Sequence, residues 1–145
     1  MPSLTQKRTL PYNAQKIYNI VMDIEKYPEF LPWCKQSKII KVISDNNLHA
    51  DLLVNFKNFF EKYRSDVKHG FKDGVYFVDV TAIEGPFKKL FNNWKIRDLE
   101  DGNCEVEFFI DFEFSSIILG KLIGVIFEKA TEKMMAAFEK RAAEI

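Results

Sequence analysis

Residues 104–114 alternate with one fault. Cys104, Val106, Phe108, Ile110, Phe112 and Phe114 fall on one side of an extended chain, and Glu105, Glu107, Asp111 and Glu113 fall on the other, with Phe109 the exception. A strand built this way has one dry face and one wet face, as in an antiparallel sheet covered on one side only. The segment after it changes period. Leu119, Leu122, Ile123, Ile126, Phe127, Ala130, Met134, Ala137 and Phe138 recur at helical spacing, while Lys121, Glu128, Lys129, Glu132, Lys133, Glu139 and Lys140 fill the opposite side. Ser115 or Ser116 can cap this helix. Running to about residue 143, it is roughly 40 Å long, against roughly 36 Å for the preceding strand. One helix can therefore cross the whole dry face of the sheet.

The period of two also extends backwards. Strands are predicted over 35–44 and 47–56, joined by Asp45-Asn46, and over 59–69, 75–82 and 88–99. Turns are read at Lys72-Asp73-Gly74, Gly85-Pro86 and Asp101-Gly102. Ahead of these, 4–10 reads as a short strand ended by Pro11, and Asn13 can cap a helix over 14–22 with Ala14, Ile17, Tyr18 and Val21 on one face. Prolines 28 and 32 limit 23–34 to a helical turn and an aromatic-rich loop. The order predicts one α+β domain over 1–145, a curved antiparallel sheet wrapped around a long C-terminal helix.

Such a sheet is wider than one helix can fill, and the chain is rich in rings: 14 Phe, 5 Tyr and 2 Trp. Either the rings fill the space as core, or they line a pocket for an apolar ligand. On the dry face the polar groups are few. Asn92 shares a side with Leu90, Trp94 and Ile96, and Ser65 shares one with Tyr63 and Val67. These groups bond one another or a buried water, or they meet a carbonyl-bearing head group. Gly120 and Gly124 each cost about 1 kcal/mol in a helix interior, which suggests close packing of a backbone or ligand, or a break near the mouth of the cavity. The run 117–127 is apolar on more than one face, so part of it is a lid, a membrane-surface or partner contact, or is covered by the loop Phe30–Trp33.

Catalytic signatures are absent. There is no HExxH, CxxC, GxSxG, P-loop or GxGxxG. His49 lies on a polar strand face and His69 at a strand end, and Cys34 and Cys104 lack the local partners of a zinc site. The pattern is that of a binder and not an enzyme, with no metal and no cofactor required. An enzyme would need an acid or base deep in the cavity, where Tyr63 is the one ionisable candidate. Lys plus Arg number 21 and Asp plus Glu 21, a balance that argues against DNA as a partner. No 18-residue apolar window is present. With no secretory or transit pattern at the start, the expected location is a bacterial cytoplasm, with reduced cysteines.

Three segments carry a family resemblance. Tyr27-Pro28-Glu29-Phe30-Leu31-Pro32-Trp33-Cys34, then Glu84-Gly85-Pro86-Phe87-Lys88-Lys89-Leu90 with Trp94 following, then Asp111-Phe112-Glu113-Phe114-Ser115-Ser116 occur in order along the chain. They resemble the signature stretches of the coenzyme Q-binding protein and ribosome association toxin family, within the START-like, polyketide cyclase/dehydrase superfamily. The resemblance implies a helix-grip fold with a cavity for ubiquinone or a similar isoprenoid lipid, and a role as quinone carrier or chaperone supporting respiratory electron transfer. It implies, as the alternative, binding to the large ribosomal subunit that blocks formation of the 70S particle. A basic strand face of Lys57, Lys62, Arg64 and Lys68 is the candidate for rRNA contact, or an ordinary solvated face. Delivery of a quinone also implies a peripheral, transient contact with the inner membrane. The candidate ligand-binding side chains are Phe30, Trp33, Phe56, Tyr63, Leu90, Asn92, Trp94, Phe112, Phe114, Leu119, Leu122, Ile123, Ile126 and Phe127. The sequence departs from the resemblance at Phe91, where a polar residue is expected, and at Ile96, where an aromatic is.

Overall fold

The computed structural model describes residues 3–56 and 59–145, without the side chains of Phe56, Phe59, Leu119, Leu122, Ile123, Val125 and Ile126. The chain runs through β1 (Ser3–Leu10), α1 (Ala14–Met22), a 3-10 helix (Ile24–Glu29), β2 (Cys34–Ser44), β3 (Asn47–Phe56), β4 (Phe59–Lys72), β5 (Val75–Glu84), β6 (Phe87–Asp98), β7 (Cys104–Phe114) and α2 (Ile117–Glu144). The strands form one antiparallel sheet in the order β1-β7-β6-β5-β4-β3-β2. Strands β2 to β7 follow one another as a meander, and β1 returns to pair with the free edge of β7, Leu10 opposite Cys104. The two helices cover one face, so the alternation in β7 becomes burial. Cys104, Val106, Phe108, Phe112 and Phe114 are all buried.

Helix α1 is fixed at its start by two side chains. Asn13 Oδ1 accepts from Lys16 N at 2.8 Å, and Asp98 Oδ1 accepts from Ala14 N at 2.7 Å, which ties the helix to the end of β6. Both satisfy N–H groups that a helix start leaves without an internal partner. The buried face is Ala14, Ile17, Ile20 and Val21.

Three local readings change. Strand β4 continues to Lys72, so His69 and Gly70 lie inside it; His69 Nδ1 is hydrogen-bonded to the Tyr18 hydroxyl at 2.7 Å. Among the described side chains of α2 the buried positions are Thr131, Met135, Phe138 and Ala142; the periodic stripe missed Thr131, Met135 and Ala142. Thr131 tolerates burial because its hydroxyl donates to the Phe127 carbonyl one turn back, at 3.0 Å. Close packing is not found at Gly124, which is exposed and where an added Cβ would meet nothing within 4 Å. Phe138 anchors α2, its ring meeting Tyr27, Phe30 and Trp94 at centroid distances of 5.7, 5.2 and 5.0 Å.

Candidate ligand-binding site

The register shows where sheet and helix part. Val78, Trp94 and Phe108 form one row across β5, β6 and β7, and all three are buried. The next row, Val80, Asn92 and Ile110, is only half-buried although it lies mid-sheet on the inner face. A cavity of about 240 Å³ opens over it. Towards β3 the wall continues through Ser65 and Ala50, which with Ala82 form one register row of small side chains.

Two apolar clusters bound this space. One lies below α1 and the C-terminal half of α2 and includes Val21, Ile24, Val67, Val78, Trp94, Phe108 and Phe138. The other, where β6 begins and β7 ends, joins Leu90, Phe112 and Phe114 to Tyr63, Phe87 and Phe127. In it the Phe112 and Phe127 rings stand 4.5 Å apart, Phe87 and Phe114 4.9 Å, and Tyr63 and Phe87 5.3 Å. The walls grade from fully buried at the first cluster to half-buried at Trp33, Val54, Phe87 and Phe127. The mouth is therefore at the end of the sheet that carries the Gly85-Pro86 turn. Phe108, Phe112, Phe114 and Phe127 do not close the space.

Of the candidate side chains, Trp33, Tyr63, Leu90, Asn92, Trp94, Phe112, Phe114 and Phe127 line the cavity. Phe30 packs instead against Tyr27 and Phe138, under the Arg141 guanidinium at 5.2 Å. The side chains of Phe56, Leu119, Leu122, Ile123 and Ile126 lie outside the described residues. Sequence reasoning did not reach Val21, Ile24, Tyr27 or Leu31 as wall residues. Their signal was the helical face of α1 and the loop after it, which meet the sheet only once the chain folds back. Ile96 points inward and is fully buried. Phe91 points outward and meets Phe109, the one fault in the β7 alternation, at 6.4 Å.

The wall is electrically neutral. Burial pushes the Tyr63 hydroxyl far above its ordinary value, and does the same to Tyr27, whose hydroxyl donates to the Val21 carbonyl. The Cys34 thiol is also raised by burial. No aspartate, glutamate, lysine, arginine or histidine lines the cavity among the described residues, and no group of three or more His, Cys, Asp or Glu among them could hold a metal ion. Ser65 Oγ is buried with no hydrogen-bond partner, and the Asn92 amide and Tyr63 hydroxyl make no hydrogen bond among the described residues. A concave apolar wall with a few unengaged polar groups can bind an apolar molecule and orient one end of it.

The family model for polyketide cyclase/dehydrase and lipid transport proteins matches residues 10–139. The chain belongs to that family. A member from Rickettsia prowazekii, named ribosome association toxin RatA, is 44% identical over 148 residues, covering 100% of this chain and 99% of the relative. The coenzyme Q-binding protein COQ10 homolog B, mitochondrial, of Xenopus laevis is 29% identical over 97% of this chain and 58% of its own length. Among solved structures, an aromatase/cyclase from Streptomyces sp. R1128 superimposes with a TM-score of 0.85 at 11% identity, covering 98% of this chain and 93% of the other. That likeness shows the fold alone, the START-like helix-grip arrangement of sheet and terminal helix. No helix among the described residues is long and apolar enough to cross a membrane.

Proposed function

We propose that the protein binds an isoprenoid quinone, ubiquinone or a close analogue, in the cavity between sheet and α2, and carries it in support of respiratory electron transfer. The observation that carries this reading is the neutral aromatic cavity beside the half-buried row Val80, Asn92 and Ile110. The name of the Xenopus relative points the same way. Burial is the mechanism. At about 0.8 kcal/mol per buried CH₂, one or two isoprene units give useful affinity with no covalent step. At about 240 Å³ the cavity is smaller than the roughly 300–1,000 Å³ of sites for drug-sized ligands. It suits a head group and the first part of a tail, with the rest leaving past Phe87, Phe114 and Phe127. Ile117 and Ile118, 78% and 82% exposed at the start of α2, are the apolar side chains offered to a membrane surface during delivery. An aromatase/cyclase reaction is disfavoured because the described wall offers no carboxylate, amine or imidazole to serve as its acid or base, only the hydroxyls of Tyr27 and Tyr63 and the Cys34 thiol. Native mass spectrometry of the purified protein is expected to show a bound isoprenoid quinone. Protein that carries none, and takes up none when ubiquinone is added, would contradict the reading.

A second reading, association with the large ribosomal subunit, is favoured by the full-length match to the Rickettsia protein. The strand face singled out for rRNA is not a free cationic stripe. Arg64 holds Asp51 at 2.8 Å and Glu84 at 3.5 Å, and Lys62 lies 3.5 Å from Asp51; Lys57 is outside the described residues. Sucrose-gradient profiles decide this reading: a 70S peak that falls as the protein is added supports it, and an unchanged peak removes it.

A further inference from the structure

We propose that Ser65 and Asn92 form the hydrogen-bonding end of the cavity, receiving a ring carbonyl or hydroxyl of the ligand so that it lies head group inward and tail towards Phe87, Phe114 and Phe127. This rests on the reading that the cavity takes a quinone-like ligand.

Three observations support it. Ser65 is 1% exposed and belongs to the cavity wall, and its buried hydroxyl has no hydrogen-bond partner among the described residues. A buried hydroxyl left without a partner is destabilising, so its presence calls for a group that completes it. Asn92 lies on the same face two strands away. Ser65 pairs with Ala82 and Asn92 with Val80 on the intervening β5. Their Cα atoms are therefore roughly 12 Å apart by strand spacing and rise, close enough for side chains leaning into one concave surface to meet two ends of a six-membered ring. Finally, Ser65 sits between Ala50 and Ala82. These short side chains leave a flat recess beside the hydroxyl that a valine or leucine on either strand would fill.

The ring lies over β5, against Val80. The Ser65 hydroxyl and the Asn92 Nδ2 donate to its oxygens, and the Asn92 Oδ1 can accept from the hydroxyl of the reduced form. Tyr63, two residues towards the mouth on β4, flanks the start of the tail. The selectivity that results is for a ring bearing oxygens on opposite sides over a hydrocarbon of similar bulk, because only the former engages groups otherwise left unpaired.

The test uses the full chain and two probes: decylubiquinone, which carries the head group, and diphenylhexatriene, a hydrocarbon with no hydrogen-bonding atom. Ser65→Ala and Asn92→Leu are each expected to weaken decylubiquinone by about three- to tenfold and to leave diphenylhexatriene within about twofold. Without ligand, Ser65→Ala is expected to raise Tm by about 2–4 °C, since it removes an unpaired hydroxyl; a serine serving only the fold would lower Tm on removal. Equal losses for both probes, or no loss for either, overturn the proposal and leave the cavity as a binding site. Wild type that binds the hydrocarbon and not the quinone also overturns it. Wild type that binds neither overturns the functional reading and this proposal together.

Discussion

Gly85 lies directly against Tyr63: a Cβ added to Gly85 would stand 2.6 Å from the Tyr63 Cβ and 3.2 Å from its Cα. The β5–β6 turn thus closes onto the strand that carries the cavity's tyrosine, and it does so with a backbone at φ +138°. Only glycine meets both demands at low cost. The contact places Phe87, two residues on, edge-on to the Tyr63 ring and so shapes the mouth.

Gly85→Ala is therefore expected to destabilise the fold by about 2–4 kcal/mol, from an overpacked contact and a strained φ together. Urea unfolding followed by circular dichroism measures it. A loss below about 0.5 kcal/mol, the range of ordinary surface changes, would mean that the turn is free to move away from β4.

Gly124 makes the opposite case. It is exposed, and an added Cβ there meets nothing, so it contributes backbone entropy to the unfolded chain without a packing return. Gly124→Ala is expected to stabilise the protein by about 1 kcal/mol, seen as a higher urea midpoint at unchanged slope. A destabilised variant would show that this turn of α2 needs glycine for a reason other than space.

How far the sequence could be read follows from which physical signal each residue carries. The alternation of β7 and the helical period of α2 come from burial on one face, and both are realised by Phe108, Phe112, Phe127 and Phe138. Thr131 was illegible because its polarity is cancelled inside its own helix by the Phe127 carbonyl. Gly70 and the exposed Phe71 interrupt the alternation after His69, so the pattern alone ends the strand there, although the ladder to β5 continues to Lys72. Asn92 and Ser65 were legible as polar groups on a dry face. That they stay unpaired is a property of spacing across β5, which no single strand encodes.

His69 gives a pH signature. Burial lowers its pKa from 6.5, and its Nδ1 is hydrogen-bonded to the Tyr18 hydroxyl. Because the folded pKa lies below the unfolded one, protons favour the unfolded chain. This contribution is complete above about pH 6.5 and is lost as pH falls through the lower folded value. Melting temperatures between pH 8 and pH 5 are expected to fall more steeply for wild type than for His69→Gln, whose amide can keep the Tyr18 bond without titrating. Parallel profiles would show that His69 charges freely in the fold.

The most direct measurement uses the chain's own reporters. Its 2 tryptophans, Trp33 and Trp94, both line the cavity, so tryptophan fluorescence reports on that space. Val80 lies in the half-buried row, opposite Asn92 and two residues along β5 from the partner of Ser65, and Val80→Phe fills the space at an overpacking cost of about 1–3 kcal/mol, checked by circular dichroism. Titration with decylubiquinone is expected to give saturable quenching at one site per chain in wild type and none in the folded Val80→Phe variant. Absence of saturable quenching in wild type, or equal quenching in both proteins, would contradict a quinone bound between the sheet and α2.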